Sequence, residues 1–345
     1  MIKQVSSLKF KMRFLKFYVL FGMIGLLIEF ITRYFLLQTI DNDFFATVIG
    51  IALGIFFAYW SNVKFNFQIP RYRINKALLL FVLIGVLSKL LQNYISNFLG
   101  LGFLAYEFER ILTAGIIFML FYIINVQFTF YNRTRLGIAI YSDIEENVDD
   151  IYKKVGQSPD FIQIDLVDET IYKNAKEVDL NIIKKVREYW PEKEIELHLM
   201  SLNADYWIKK LDYLKDNLNL IIFHEDVFQE IYNNLKEIKK NYNIGIFFEN
   251  RTPLEEIKKY TEICNHITIM GIENLGYSGQ KFSDNTLLKI DKIDKFKNRS
   301  KFNLEVDGGI DSTNFYKLKV DKLVSGSSVL TSNNSINKIL EFKRL

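Results

Sequence analysis

The sequence predicts an α-helical membrane domain of four transmembrane helices, arranged as a tandem repeat, followed by an α/β barrel of eight strands. Residues 44–63 and 111–132 contain no charged side chain and are long enough to cross a bilayer as helices. From about residue 137 onward, apolar runs alternate with amphipathic stretches rich in Lys and Glu. These observations predict a membrane domain over 1–135 and a barrel over 136–345.

Two more apolar segments, about 14–37 and 76–98, complete the four predicted spans. Charge interrupts both of them, at Glu29 and Arg33 in the first and at Lys89 in the second. Ionisable side chains at such a depth are costly and usually face a protein interior. Glu29 and Lys89 therefore have two interpretations. In the first, they line a polar path or a binding site for a ligand head group. In the simpler one, Glu29 pairs with Arg33 on its own helix and Lys89 extends to the membrane surface.

The distribution of charge predicts the orientation of the membrane domain. Residues 1–135 carry 14 Lys and Arg against 5 Asp and Glu, whereas the remainder carries 30 against 35. The basic residues lie before the first span, between the second and third, and after the fourth, while the other two loops are acidic. The positive-inside rule then places both termini and the barrel in the cytoplasm, in a multi-pass protein of the cell membrane. The single cysteine, Cys264, agrees with this reducing side.

The membrane domain repeats itself. A spaced pattern of Lys, Gly, a charged residue and Tyr begins at Lys16 and again at Lys76, and an Asn-x-x-Phe-x-Phe ending begins at Asn62 and Asn125. This arrangement resembles the GtrA-like family of small membrane proteins over about residues 12–133. The resemblance implies a role in moving or positioning polyprenyl-phosphate-linked sugars. Asn62 and Asn125 match its pattern, either as ligand contacts or as residues that cap or cross-link helices.

Eight apolar runs in the second half predict strands, and eight strands separated by helices over about 200 residues favour a TIM (β/α)8 barrel. The predicted strands cover 138–142, 161–166, 195–200, 219–224, 244–248, 267–271, 302–307 and 322–326. Chemistry in such a barrel is expected at the C-terminal strand ends. Those ends hold Asp165, His198, His224, Met270 and Asp307. Both aspartates have a simpler explanation as helix caps.

Gly-rich turns follow the last three predicted strands. Backbone N–H groups in such turns can surround a phosphate, because glycine lets the chain approach it closely. The predicted phosphate-binding residues are Gly276, Ser278, Gly279, Gln280, Gly308, Gly309, Gly326 and Ser327.

Seven segments in order make the second domain resemble ribulose-phosphate 3-epimerase over about residues 137–333. They begin at Asp160, Leu197, Phe223, Ile269, Gly276, Val306 and Val324. The resemblance implies that Asp165 and Asp307 remove and return a proton on opposite faces of the carbon next to a carbonyl. It also implies a divalent metal held by two histidines and two aspartates, which stabilises the enediolate. His198 matches one of those histidines, and the resemblance further implies that it contacts substrate and that Met200 and Met270 help line the space around the enediolate.

The fourth metal-ligand position holds Gln163. A glutamine carbonyl is a weak neutral ligand compared with imidazole, so a zinc site would be weakened while Mg²⁺ or Mn²⁺ would tolerate the change. The metal is therefore left open among Zn, Mn, Fe and Mg. Further departures from the family are Val167, Glu169, Leu275, and Tyr141 or Ser142 near the usual first-strand serine.

The sequence thus predicts a membrane-tethered sugar-phosphate epimerase that acts on a phosphorylated ketose in cell-surface polysaccharide or glycolipid synthesis. The rival is a membrane protein for translocating or presenting polyprenyl-phosphate sugars, whose degenerate barrel only binds a phosphosugar. Gln163 favours the rival, and the aspartate pair opposes it. A membrane lipid is an expected partner in both cases, a homo-oligomer is compatible with the sequence, and the acidic barrel argues against nucleic-acid binding.

Overall fold

A computed structural model of the chain describes residues 2–40, 42–67, 69, 73–99, 116–130, 134–228 and 243–343. The chain divides into two compact units, one reaching to Asn132 and one running from Arg133 to Lys343. The first unit is helical, and the second is an α/β barrel.

The described part of the first unit contains α1 (Ile2–Leu37), α2 (Asp43–Ser61), α3 (Ile74–Leu99) and α4 (116–124). Two stretches, Phe14–Leu37 and Asp43–Phe67, are long and apolar enough to cross a membrane, and Ile74–Ser88 is a shorter apolar helix. These stretches coincide with the first three predicted spans. The fourth predicted span covers 111–132, of which the structure describes 116–130. Residues 111–115 and 131–132 lie outside the described part of the chain.

Both copies of the repeat end in a π-helical turn. Asn62–Phe67 follows α2, and Asn125–Thr129 follows α4. Such turns are rare and local in helices, so their occurrence at matching positions gives the two copies the same backbone form. Phe67 and Phe130, at corresponding positions of the motif, stack with ring centroids 4.4 Å apart and planes 2° from parallel. The two copies therefore meet at equivalent residues.

The asparagines of the motif are buried and hydrogen-bonded within the unit. Asn66 Nδ2 donates to Asn62 Oδ1 over 2.9 Å, and Thr129 Oγ1 donates to Asn125 Oδ1 over 2.8 Å. Asn125 Nδ2 also donates to the Tyr18 hydroxyl on α1 over 3.1 Å. These contacts support the interpretation of the two motif asparagines as cross-links between and within helices, since buried polar groups in a membrane domain need partners.

The helices α1 and α2 pack closely because glycines face the contact. A Cβ on Gly54 would lie 2.5 Å from the Gly25 carbonyl oxygen, and one on Gly50 would lie 2.8 Å from the Glu29 carbonyl oxygen. Small residues let two backbones approach each other in this way inside a membrane.

Arg33 pairs across the connection between α1 and α2 rather than along its own helix. Its Nη2 lies 2.7 Å from Asp43 Oδ1, so the simpler arrangement with a Glu29–Arg33 pair is wrong among the described residues. Helical spacing alone had suggested that pair, but the chain reversal brings Asp43, the first residue of α2, to Arg33. Glu29 is half-buried, and the Lys89 side chain lies outside the part that the structure describes.

Eight parallel strands close into a barrel in chain order, which confirms the predicted fold. The strands are β1 (Arg135–Tyr141), β2 (Phe161–Val167), β3 (Glu194–Met200), β4 (Leu220–His224), β5 (Asn243–Phe248), β6 (His266–Met270), β7 (Asn303–Asp307) and β8 (Lys322–Val324). The surrounding helices include α5 (Val148–Val155), α6 (Asn181–Tyr189), α7 (Ala204–Leu211), α8 (Leu254–Tyr260), α9 (Asp284–Ile293), α10 (Ser327–Leu330) and α11 (Ser335–Phe342).

Strand alternation places polar residues inside this barrel in two layers. Every second residue of a strand points to the same face, and β2 pairs with β3 so that Gln163 is opposite Glu196 and Asp165 is opposite His198. Likewise Asp307 follows Glu305 by two residues on β7. The upper layer therefore carries Asp165, His198 and Asp307, and a second set of polar residues, which includes Gln163, lies one layer below it.

The lower layer is a buried ionic cluster around Lys322. Its ammonium contacts Glu196 and lies 3.1 Å from Glu194 Oε1. His266 Nε2 lies 3.5 Å from Glu305 Oε1. Burial and the neighbouring Glu305 raise the pKa of Glu196 to about 8, and burial lowers the pKa of His266 to about 4. Lys322 thus places a positive charge beside Glu196 and Glu194, which lowers the cost of ionising these carboxyl groups inside the barrel.

Replacing Gly54 by Ala should destabilise the membrane unit, because the added methyl would meet the Gly25 backbone. We expect a loss of about 1–3 kcal/mol, as for other overpacked contacts. Gly85→Ala is the matched control, since no heavy atom lies within 4 Å of a Cβ built there. Thermal unfolding of the detergent-solubilised full chain, followed by helical circular dichroism, compares the two variants. Equal midpoints would contradict the close packing of α1 and α2.

Replacing Lys322 by Met should destabilise the barrel by about 3–5 kcal/mol, because it leaves buried carboxylates unpaired. Lys319→Met is the matched control, since the Lys319–Asp291 pair is partly exposed and such pairs contribute about 0–1 kcal/mol. Urea unfolding of the full chain, followed by fluorescence, measures both because Trp190 is buried in the barrel. A similar small loss in both variants would show that the cluster contributes little.

Candidate functional site

Three side chains from separate strands converge near the C-terminal end of the barrel. His198 Nδ1 on β3 lies 2.9 Å from Asp307 Oδ2 on β7 and 3.5 Å from Asp165 Oδ1 on β2. One ligand-type atom from each residue falls within 4.8 Å of the others. All three residues are buried, and no helix cap uses either carboxylate among the described contacts. The structure thus brings together the two aspartates and the histidine that the sequence singled out.

Gln163 joins the same cluster from the next inward position of β2. Its Nε2 donates to Asp307 Oδ2 over 2.7 Å and to Asp165 Oδ1 over 2.9 Å, and it lies 3.3 Å from His198 Nδ1. Its Oε1 is buried without a hydrogen-bond partner among the described residues. The amide therefore stands between the two carboxylates as their shared donor.

The electrostatics of the cluster follow from burial and from the two carboxylates. Burial, together with the nearby Asp307, raises the pKa of Asp165 to about 6. Burial alone would lower the pKa of His198, but its hydrogen bonds to Asp165 and Asp307 raise that pKa to about 10. The imidazole is therefore held in its charged form beside the carboxylates when no other cation is bound.

The donor set fits a divalent cation. Imidazole nitrogen and carboxylate oxygen are the ligands of zinc, iron and manganese sites, and carboxylate oxygen also suits magnesium. Turning the Gln163 amide end for end would present its orphaned Oε1 to the same point, and the assignment of amide oxygen and nitrogen rests on the hydrogen-bond network. Asp165, His198 and Asp307 can thus hold an ion with Gln163 as a fourth, weaker ligand.

An apolar wall borders the cluster. Met200 and Met270 are buried in one group with Val167, Phe247 and Ile272. The Phe247 ring also contacts the imidazole edge-on, with centroids 4.3 Å apart. The two predicted methionines therefore lie where they can shape a dry site.

His224, also at a strand end, is engaged elsewhere. Its Nδ1 accepts a hydrogen bond from the Asp226 backbone N–H over 3.1 Å. Its ring packs on Phe247, which also touches His198. This histidine is therefore a local cap beside the cluster.

The Gly-rich loops adopt the backbone that glycine favours. Gly276, Gly279, Gly308 and Gly309 all have positive φ. The turn at Gly308 and Gly309 directly follows Asp307, and a Cβ on Gly309 would lie 2.8 Å from the Phe282 backbone. Gly326 and Ser327 lie at the start of α10. In the loops after β6, β7 and β8, a ligand could therefore come close to the backbone N–H groups, because glycine has no side chain in the way.

The amide of Gln280 is used within its own loop. Its Nε2 donates to the carbonyl oxygens of Asn274 and Tyr277, over 2.6 and 3.0 Å, and its Oε1 accepts from the Asn274 N–H. The side-chain amide of Gln280 therefore braces the loop over residues 271–283.

That loop meets the loop that follows β2. A Cβ on Gly276 would lie 2.6 Å from Tyr172 Cβ, and the rings of Tyr172 and Tyr277 are 5.9 Å apart. The two loops border a cavity of about 290 Å³ whose lining includes Tyr141, Asp165, Tyr172, Lys176, Tyr277 and Ser278. The sequence had noted Tyr141 only as a departure near the usual first-strand serine, and it had not assigned Tyr172, Tyr277 or Lys176 to the site. The signal for Tyr141 was its place at the C-terminal end of a strand.

The comparisons with known proteins separate the same two parts of the chain. Residues 138–330 match the family model described as "Ribulose-phosphate 3 epimerase family", and residues 17–130 match "GtrA/DPMS, transmembrane domain". A protein named ribulose-phosphate 3-epimerase from Buchnera aphidicola subsp. Baizongia pistaciae is 30% identical over 211 residues, which cover 59% of this chain and 90% of that protein.

Some solved structures are also similar to part of this chain. KGPDC from Streptococcus mutans has 13% identity and a TM-score of 0.44, covering 61% of this chain and 95% of its own. 3-Hexulose-6-phosphate synthase from Salmonella typhimurium has 17% identity and a TM-score of 0.45, covering 61% and 97%. The epimerase model covers more than half of the chain. The chain therefore belongs to the ribulose-phosphate 3-epimerase family and carries a GtrA/DPMS transmembrane domain before its barrel.

Proposed function

We propose that this protein is a membrane-tethered sugar-phosphate epimerase that inverts the carbon next to a carbonyl in a phosphorylated ketose. The observation that carries the proposal is the convergence of Asp165 and Asp307, from strands on different sides of the barrel, on one buried point beside His198. Epimerisation needs one group to remove a proton and another to return it to the opposite face. Two carboxylates facing a shared space provide that pair.

The two aspartates have different surroundings, as acid and base partners require. Asp165 has a raised pKa because of burial and its carboxylate neighbour, so it can hold a proton close to neutral pH. Asp307 adjoins the Gly308–Gly309 turn, and this places it next to the loops that we assign to the phosphate group. A phosphate anchored there would keep the reacting carbon between the carboxylates.

The same residues would hold a divalent ion. Asp165, His198, Asp307 and Gln163 are the proposed ligands, and the family membership and the convergent donor set support them. A bound divalent cation supplies charge stabilisation to the oxygens of the enediolate formed after proton removal. Met200 and Met270 exclude water beside that point, which strengthens every electrostatic contact within it.

The membrane domain suggests where this chemistry serves the cell. We assign residues 1–135 to it and 136–345 to the barrel, and the charge distribution favours a cytoplasmic barrel and cytoplasmic termini. A GtrA/DPMS domain in the same chain as a barrel of the ribulose-phosphate 3-epimerase family supports a role in the synthesis of cell-surface polysaccharide or glycolipid. A polyprenyl-phosphate-linked sugar is the membrane ligand that we propose.

One observation favours a second candidate function. The Gln163 amide already donates a hydrogen bond to each aspartate, as expected for a barrel that binds phosphosugars without a metal. In that case the protein presents or translocates lipid-linked sugars, and the barrel acts as a binding module. Exchange of a substrate proton with solvent distinguishes the two functions.

Asp307→Asn should abolish solvent exchange at the reacting carbon, because the amide can neither take nor return a proton. The full chain, loaded in turn with Mn²⁺, Zn²⁺ or Fe²⁺, is incubated in D₂O with a panel of pentulose and hexulose phosphates, and deuterium uptake is followed by NMR. We expect a loss of at least about a hundredfold in rate. Asp311→Asn is the matched control, since Asp311 caps the next turn of the same loop. No uptake by the unmodified chain with any ion would favour the binding module.

Gln163→His should tighten metal binding, because imidazole is a stronger ligand than an amide carbonyl. We expect the affinity for the ion to increase roughly 10–100-fold, the size of effect that changes around metal ligands usually have. Competition with a chromogenic chelator measures the affinity of the full chain for Zn²⁺, and Gln157→His on an exposed loop is the control. Because the ion must displace the His198 proton, whose pKa is raised to about 10, affinity should increase with pH from 7 to 9. An unchanged affinity in Gln163→His would remove residue 163 from the ligand set.

A further inference from the structure

The end of β1 supplies a polar side chain that the proton-transfer scheme does not use. Tyr141 is the last residue of β1 and pairs in register with Asp165. Its side chain is half-buried and lines the 290 Å³ cavity together with Asp165. Ser278, in the loop that follows β6, lines the same cavity. Tyr141 therefore stands between a proposed acid/base residue and a proposed phosphate loop.

This hydroxyl is a hydrogen-bonding group rather than a base. A tyrosine phenol is neutral at physiological pH and keeps an O–H to donate. A neutral donor beside two carboxylates suits an oxygen of a molecule bound between them.

The rest of the cavity suits a hydroxylated carbon chain. Tyr172 and Tyr277 form an aromatic pair along it, and Asn174 and Lys176 add polar groups. Lys176 Nζ lies 2.6 Å from Glu145 Oε2, so the charge of Lys176 is already compensated. Its remaining N–H groups can still donate hydrogen bonds to a ligand. Aromatic rings with polar tips, set among a few fixed polar groups, are typical of pockets for small polar ligands.

We propose that Tyr141 is a substrate-binding residue, whose hydroxyl holds an oxygen next to the reacting carbon of a ketose phosphate. The cavity that it shares with Tyr172 and Tyr277 takes the hydroxylated part of that substrate. The identity of the ligand rests on the proposed function, whereas the place of Tyr141 rests on its register with Asp165 and on its position in the cavity. Tyr141 or Ser142 lies near the position where the family resemblance had indicated a first-strand serine, and a tyrosine hydroxyl in contact with substrate would give this chain a sugar specificity different from that of a serine.

Calorimetric titration of the full chain in detergent tests the proposal with D-ribulose 5-phosphate and with inorganic phosphate. Tyr141→Phe removes the hydroxyl and keeps the ring. We expect about tenfold weaker binding of the sugar phosphate, the usual effect of losing one hydrogen bond, and unchanged binding of inorganic phosphate. Tyr213→Phe, at an exposed tyrosine on the barrel surface, should change neither affinity.

Ser278→Ala separates substrate contact from loop tethering. If Tyr141 only holds the loop through Ser278, then Ser278→Ala, Tyr141→Phe and the double variant weaken the sugar phosphate equally, and the proposal is overturned. Equal loss of both ligands in Tyr141→Phe would also overturn it. A larger loss of the sugar phosphate in the double variant than in Ser278→Ala alone would support it.

The deuterium-exchange assay tells this inference apart from the proposed function. Selective weakening in Tyr141→Phe, in a chain that exchanges no proton, would keep the substrate contact and reject the epimerase. Exchange with an unaffected Tyr141→Phe would reject the contact alone. Failure of the unmodified chain to bind any ketose phosphate would reject both.

Discussion

The buried pair of Asp165 and Asp307 is the constraint on which the site depends. Two carboxylates inside a closed barrel lose most of their hydration, and unpaired they would be strongly unfavourable. The Gln163 amide and the His198 imidazole place N–H groups between them. This arrangement requires β2, β3 and β7 to present these residues at one height, and barrel closure meets that requirement. The fold and the chemistry of the site therefore share one condition, a matched register around the barrel.

The same register explains why the barrel carries a second polar layer. Residues two positions before the site on β2, β3 and β7 must also point inward, and there they are Gln163, Glu196 and Glu305. Lys322 compensates the carboxylates from β8, and Thr268 Oγ1 donates to Glu305 Oε1 over 2.9 Å. Burial raises the pKa of Glu305, and the charge of the nearby Asp307 raises it further. The lower layer thus sets the field beneath the carboxylates that we assign to proton transfer.

The sequence predicts the parts of this molecule that depend on local pattern. Each barrel strand lies within three residues of its predicted bounds, because apolar strand runs and strand-end residues are local signals. The meeting of Asp165, His198 and Asp307 follows from their positions at strand ends. The lower polar layer could be predicted by counting back two residues along each strand from the site. The contact of Lys322 with Glu196 could not be predicted in this way, because it joins β8 to β3 across the barrel. The Arg33–Asp43 pair and the Tyr172–Tyr277 contact arise from how loops return, which no spacing rule specifies.

The choice of an amide at position 163 has a chemical consequence that an imidazole would not have. A neutral imidazole offers one donor and one acceptor nitrogen at fixed places on its ring, whereas an amide turned end for end exchanges a two-proton donor for a carbonyl acceptor. With no ion bound, the donor end satisfies both carboxylates, as the structure shows. If an ion were bound, it would satisfy the carboxylates in place of that donor. The amide would then be more stable with its carbonyl oxygen turned toward the ion. We therefore expect Gln163 to stabilise the metal-free site more than an imidazole would, and so to lower the affinity for the ion while keeping the aspartates in place.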